Sequence, residues 1–187
     1  MHKSSADAVA KGESNGSSGG AKVLGHAVHP MVIVFPLGLL SAAVIFEGLY
    51  YIYGNPTFAI VAYWMTIAGI IGGIFAAIFG WIDWFAIKEG TRAKSVGLAH
   101  GGVNTLVLAT FALGLYFRYG READPPTFAF IVALLGAGLA LVGGWLGGEL
   151  VERLGIGVHK GANADAPSSL VSSRADRPID ATPREHS

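Results

Sequence analysis

The sequence contains no cysteine, and this absence removes several kinds of site at once. Disulfide bonds, cysteine-ligated iron–sulfur clusters, zinc ribbons and covalently attached c-type haem all require the thiol group. Also missing are a glycine loop followed by Lys, a Gly-x-Ser-x-Gly nucleophile elbow and a His-Glu-x-x-His zinc helix. The sequence therefore argues against ATPase or hydrolase chemistry of the soluble type, and it leaves open whether the protein is an enzyme.

Charge is also scarce. Only 14% of the 187 residues are charged and the formal net charge is zero, whereas charged residues make up about a quarter of a soluble domain. A neutral chain gives no sign of nucleic-acid binding. Hydrophobic residues make up 52% of the chain, and the mean hydropathy is +0.50. This composition is typical of a protein whose partner is the lipid bilayer.

Four apolar runs account for the hydrophobicity, at residues 31–53, 58–82, 98–117 and 128–150. Each reaches the length of about 20 residues that a helix needs to cross a bilayer, and a helix satisfies its own backbone hydrogen bonds in lipid. Because the connections are short, consecutive helices are expected to be antiparallel neighbours. The sequence predicts an all-α fold, a four-transmembrane-helix bundle with up-down-up-down topology.

The predicted organisation is a disordered N-terminal tail at 1–24, a transmembrane domain at 25–160 and a disordered C-terminal tail at 161–187. The tails are rich in Ser, Gly, Pro and charged residues, a composition that does not form a packed core. Lys and Arg near the helix ends favour the side of the tails, with Lys22, Lys88, Arg92, Lys94, Arg153 and Lys160 there against Arg118 and Arg121 on the other side. By the positive-inside rule, both termini are expected in the cytoplasm.

Polar residues gather at the predicted cytoplasmic ends of the helices: His29, Asp83, His100, Asn104 and Glu149. Such residues are costly in a membrane and often functional. In one interpretation, His29 and His100 are the axial ligands of haem b. In another, His29, Asp83, His100 and Glu149 hold a non-haem metal. In a third, no cofactor binds: His29 caps the first helix, and Asp83 bonds to Asn104 or His100. Proton-coupled transport is a fourth.

A second polar pair is expected at the opposite end of the bundle. Glu47 follows His29 by the same number of residues as Arg118 follows His100, which corresponds to about five helical turns. If the two histidine faces meet inside the bundle, Glu47 and Arg118 should therefore meet as well. We predict an ion pair between them, with a structural role.

Small residues recur every fourth position on two of the helices, as Gly72, Ala76 and Gly80 on the second and Gly136, Ala140, Gly144 and Gly148 on the fourth. Such stripes allow helix backbones to approach closely, either within the bundle or in a homo-oligomer. Pro36, inside the first helix, cannot donate to the carbonyl of Val32 and predicts a kink.

Several motifs resemble a family of four-helix bacterial membrane proteins known only as a domain of unknown function. They are His29-Pro30, Phe35-Pro36-Leu37-Gly38, Gly80-Trp81-Ile82-Asp83, His100 with Asn104, and Gly147-Gly148-Glu149-Leu150-Val151. The resemblance covers residues 26–160 and implies a bacterial inner-membrane protein. Some members are fused to Rieske-type or cytochrome domains, which implies electron transfer and a redox partner protein. The chain departs from the family at Val34, where many relatives carry His.

We therefore expect a redox-associated membrane subunit that binds haem b or a metal at the cytoplasmic-side cluster. The alternative is a non-catalytic membrane scaffold or a proton-coupled transport subunit.

Overall fold

The computed structural model describes residues 20–23, 26–159, 162–166 and 168. The rest of the two predicted tails lies outside the described residues. The helices are α1 Val28–Val32, α2 Val34–Tyr53, α3 Pro56–Phe85, α4 Arg92–Phe117 and α5 Thr127–Gly148, and a π-helical turn, Glu149–Arg153, follows α5. Four spans are long and apolar enough to cross a membrane: α1 with α2, α3, α4, and α5 with the π-helical turn. The predicted all-α four-helix bundle is confirmed.

The first span is interrupted at Ile33, between α1 and α2. Pro36 lacks the N–H group that would bond to the carbonyl of Val32, and the break lies one residue after that carbonyl. The hydrogen bonds on either side are kept, from Ile33 to His29 and from Leu37 to Ile33, both at 3.1 Å. The interruption therefore lies where Pro36 weakens the helix, next to the residues that face the second span.

The third span begins at Arg92, before the apolar run that predicted it at residue 98. The hydroxyl of Thr91 caps this extension by accepting the N–H of Lys94 at 3.2 Å. Lys94 is buried, and its Nζ donates to the carbonyl of Trp84 at 3.0 Å and lies 3.9 Å from the centre of the Trp84 ring. A charged residue thus continues the helix because the connecting loop gives it partners.

A short sheet lies around residue 24, where the predicted N-terminal tail meets the predicted transmembrane domain. Lys22–Val23 (β1) pairs with His26–Ala27 (β2) as a two-stranded antiparallel sheet. The carboxylate of Asp83 accepts the backbone N–H of Ala21 at 3.0 Å, and the carbonyl of Ala21 accepts the N–H of Val28 at 2.9 Å. Residues just before the first span are therefore fixed to the end of α3.

The bundle consists of two helical hairpins. The first span packs along α3, and α4 packs along α5, whereas α2 and α5 touch at fewer positions. Gly69 lies against Leu40, Gly72 against Pro36 and Gly80 against His29, so the small-residue stripe of α3 faces the first span. The core between the hairpins contains Leu40, Val107, Phe111 and Ala133. Beside this core the hairpins enclose a cavity.

Candidate functional site

His29 projects from α1 onto the surface of α3. Its Nδ1 lies 2.9 Å from the carbonyl oxygen of Ala76. A Cβ atom at Gly80 would lie 3.0 Å from Cε1 of the imidazole, so a glycine is needed for the ring to sit at this depth. Ala27 is the N-cap of α1, and no side chain caps it. The interpretation of His29 as a helix cap is therefore wrong.

His100 makes the same contacts in the second hairpin. Its Nδ1 lies 3.0 Å from the carbonyl oxygen of Gly143 on α5, and a Cβ atom at Gly147 would lie 3.1 Å from its Cε1. Asn104, one turn further along α4, donates to the carbonyl of His100 at 2.9 Å, and its amide nitrogen lies 3.3 Å from Nε2 of the ring. The backbone of α5 thus orients His100 and the Asn104 amide lies over it.

The two imidazole rings meet between the hairpins. Their centroids are 6.3 Å apart and their planes are nearly perpendicular, at 88°. In each ring Nδ1 is engaged by a carbonyl oxygen, which accepts only from a protonated nitrogen. This contact therefore places a proton on Nδ1, so that of the two neutral tautomers it selects the one with the lone pair on Nε2.

The equivalence of the two hairpins extends along their length. Gly69, Ala76 and Gly80 on α3 have the same spacing as Gly136, Gly143 and Gly147 on α5. Each set makes corresponding contacts, since Gly69 lies against Leu40 as Gly136 lies against Phe111. The shared spacing of His29 to Glu47 and of His100 to Arg118 predicted which residues meet, but it did not predict the two carbonyl groups and the two glycines that position the rings. The matched spacing of small residues was the signal for them.

Asp83 and Glu149 lie near the same end of the bundle but are engaged elsewhere. Asp83 accepts from Ala21, not from Asn104 or His100 as one interpretation expected. Glu149 forms an ion pair with Arg92 at 2.6 Å, which joins the π-helical turn to the start of α4. Within the described residues there is no group of three or more His, Asp or Glu side chains placed to hold a metal ion. The structure thus does not bring together the four ligands predicted for a non-haem metal.

The predicted ion pair between Glu47 and Arg118 is confirmed. Arg118 Nη1 lies 3.1 Å from Glu47 Oε2, and both side chains are 3% exposed. Arg118 also donates through Nη2 to the carbonyl of Ala59 at 2.7 Å, and its guanidinium lies 5.7 Å from the ring of Tyr63. The pair joins the two hairpins at the end opposite the histidines.

The cavity between the hairpins has a volume of about 460 Å³, within the range of small-molecule sites. His29, His100 and Asn104 line one end of it. The remainder is lined mainly by aliphatic and small residues, with Ser41, Thr105 and two tryptophans, and no Lys, Arg, Asp or Glu of the described part of the chain contributes. Val34, where the resemblance implied His in many relatives, does not line it and is 59% exposed.

Sequence comparison places the chain in a family. The family described as "Predicted membrane protein (DUF2231)" matches residues 25–160, which include all four spans and every polar residue of the candidate site. The chain belongs to this family. No curated protein and no solved structure shows significant similarity to it. Membership agrees with the four apolar spans and establishes a membrane protein whose surroundings are a lipid bilayer.

Proposed function

We propose that this protein is a redox-associated subunit of the bacterial inner membrane, with both termini in the cytoplasm, that binds haem b between His29 and His100. The observation that carries the proposal is the meeting of the two imidazoles, one from each hairpin, at the end of an apolar cavity. Haem b is held by non-covalent contacts and axial ligands, so a chain without cysteine can bind it.

The separation of the rings fits this role. A metal ion lies about 2 Å from the imidazole nitrogens that bind it, so two axial imidazoles have centroids roughly 6 Å apart. The observed separation is 6.3 Å. The contact between Asn104 and Nε2 of His100 is long, at 3.3 Å, and its loss is a small cost compared with metal ligation.

The hydrogen bonds around the rings also suit axial ligands. A ligating histidine usually donates its other ring N–H to a carbonyl or carboxylate, which fixes the tautomer and the orientation of the ring. Ala76 and Gly143 supply such carbonyl oxygens at 2.9 and 3.0 Å. The bound haem would supply a one-electron couple. The chain would hold it in a dry apolar site, where burial tunes the reduction potential.

An absorption spectrum of the protein, purified in detergent after expression with adequate haem supply, tests the proposal. We expect a Soret band with sharp reduced α and β bands, which is lost in His29→Ala and in His100→Ala. His26→Ala is the matched control, because His26 lies in β2 and does not line the cavity. A wild-type protein without visible absorption would refute haem binding.

A second candidate is a non-catalytic scaffold that assembles into homo-oligomers. It is favoured by Gly148, at the end of the small-residue stripe on α5, where an added Cβ atom would meet nothing within 4 Å. Gly136 on the same stripe already packs against Phe111, so the end of the stripe at Gly148 is the part open to a partner. If Gly148→Leu converts an oligomer to a monomer in gel filtration with light scattering, the scaffold is favoured.

A further inference from the structure

The cavity has two sides along the bundle, and they differ. On the side between α3 and α4, the indole of Trp81 reaches across toward Gly101, 4.0 Å from the position of a Cβ atom there. Trp81 also packs edge-to-face on Trp84, with ring centroids 5.3 Å apart. This side is therefore covered by aromatic rings.

On the opposite side, the described residues of α2 and α5 contribute no aromatic ring to the cavity wall. The residue after Gly80 is Trp81, whereas the residue at the equivalent position, after Gly147, is Gly148. Gly138 and Gly144 both line the cavity, and an added Cβ atom at either would meet nothing within 4 Å. The two hairpins thus place a tryptophan at one gap and glycines at the other.

The rim of this gap faces outward at the depth of the bilayer. Ile45 of α2 is 62% exposed and Leu141 of α5 is 78% exposed, and both also line the cavity. Both side chains therefore lie between the cavity and the lipid, and the neighbouring Gly138 and Gly144 have no side chain that could close the gap. In a bilayer of about 30 Å hydrocarbon thickness, the middle of a span faces acyl chains rather than water.

We propose that the ligand of this cavity enters from the bilayer, through the gap between α2 and α5 at Gly138 and Gly144, and is therefore a molecule that partitions into the membrane. This inference rests on the proposed function, in which that ligand is haem. It adds the route and the requirement that the ligand partition into lipid. The gap between α2 and α5 is open because the small residues of α5 leave space there. Between α3 and α4 the corresponding space is filled by Trp81.

Uptake of hemin by the cofactor-free full-length protein in nanodiscs tests the route. Two variants close the gap, because each places an aliphatic side chain at a glycine that lines it: Gly144→Leu and Gly138→Leu. Gly102→Leu is the matched control, because Gly102 of α4 has no atom within 4 Å of an added Cβ and does not line the cavity. We expect the fast phase of Soret growth to be lost in both closing variants and kept in the control.

A second readout keeps this test separate from that of haem binding. With Trp64 and Trp145 changed to Phe, the two remaining tryptophans, Trp81 and Trp84, both line the cavity and keep the cover between α3 and α4. Phospholipids with brominated acyl chains should quench their fluorescence through the open gap, and Gly144→Leu should reduce the quenching. If Gly144→Leu takes up hemin as fast as Gly102→Leu, the proposed route is overturned. If wild type takes up no hemin, equal quenching in these two variants overturns it. Absence of a Soret band in wild type refutes only the haem.

Discussion

At the scale of single residues, the ion pair between Glu47 and Arg118 is the contact with the largest expected effect on stability. Both residues are 2% exposed, and a charge that has left water depends on its partner for compensation. Within the described part of the chain, Glu47 Oε1 and Arg118 Nε have no hydrogen-bond partner. The pair is therefore sensitive to any change that removes one of its remaining contacts.

Removing either partner should destabilise the protein strongly. We expect Glu47→Ala or Arg118→Ala to lower the free energy of unfolding by about 3–5 kcal/mol, because each leaves a buried charge uncompensated. The double reversal Glu47→Arg with Arg118→Glu should recover much of the loss. Thermal unfolding in detergent measures this, and Arg121→Ala, which breaks an exposed pair with Asp124, is the control. A double reversal no more stable than the single variants would contradict the assignment.

The loop between α4 and α5 provides a pH-dependent contact. The hydroxyl of Tyr50 donates to Asp124 at 2.9 Å, and this bond, with a second from Arg121, holds the pKa of Asp124 below its ordinary value. Because the folded pKa is the lower one, the contact stabilises the loop above the ordinary pKa of about 3.9 and is lost as the pH falls through the folded pKa.

Tyr50→Phe should raise the pKa of Asp124 toward that of an unperturbed aspartate, as followed by carboxyl-carbon NMR. Tyr51→Phe is the control, since the Tyr51 hydroxyl donates to the carbonyl of Pro125 instead. A pKa of Asp124 that does not change in Tyr50→Phe would assign the shift to Arg121.

The residues of the site were predictable only where their periodicity was informative. A whole number of turns keeps Glu47 on the helix face of His29, and likewise Arg118 on that of His100. Because His29 meets His100, Glu47 therefore meets Arg118. Asp83 and Glu149 were placed at the correct end but not with the correct partners. Their neighbours, Ala21 and Arg92, come from segments outside the apolar runs, and hydrophobic periodicity carries no information about how such segments fold back.

At the scale of helices, close packing depends on particular glycines and not on the stripe as a whole. A Cβ atom at Gly136 would lie 2.9 Å from the ring of Phe111, whereas one at Gly138, two residues away, would meet nothing within 4 Å. The same helix thus presents a packed face and an open face, which the sequence alone could not distinguish because both carry Gly.

Substitution at these two glycines should separate the faces. Gly136→Val should lower the free energy of unfolding by about 1–3 kcal/mol, since an overpacked core must shift its side chains. Gly138→Val should have little effect on stability. Thermal unfolding of the two variants in the same detergent provides the comparison. Equal destabilisation would mean that helix propensity, and not contact with Phe111, determines the result.

Helix number and order were predictable because each apolar run is long enough to span a bilayer. The residues at which the helices begin and end were less predictable. The cap at Asn55 is local, since its side chain accepts the N–H of Thr57 at 3.0 Å. The start of α4 was missed because the buried Lys94 gains its partners, the carbonyl and ring of Trp84, only after the preceding loop has folded.

At the scale of the whole molecule, the second hairpin repeats the first, and this repeat explains why the paired polar residues lie on one line through the bundle. The first span and α4 run in the same direction, so equivalent residues of the two hairpins lie at the same depth. Residues that face the approximate two-fold axis therefore meet their own equivalents, as His29 meets His100 and Glu47 meets Arg118. A ligand on this axis receives one histidine from each half.

The orientation of this axis in the membrane decides which compartment the histidines face. The absence of cysteine allows single-cysteine labelling without a prior change of background. Glu89→Cys and Ala123→Cys mark opposite exposed loops, and neither changes the Lys and Arg distribution on which the positive-inside rule depends. With a membrane-impermeant maleimide, we expect Ala123→Cys to be labelled from outside and Glu89→Cys to be labelled only after permeabilisation. The reverse pattern would place both termini outside, move the histidine end of the cavity to the outer face, and require an electron partner in that compartment.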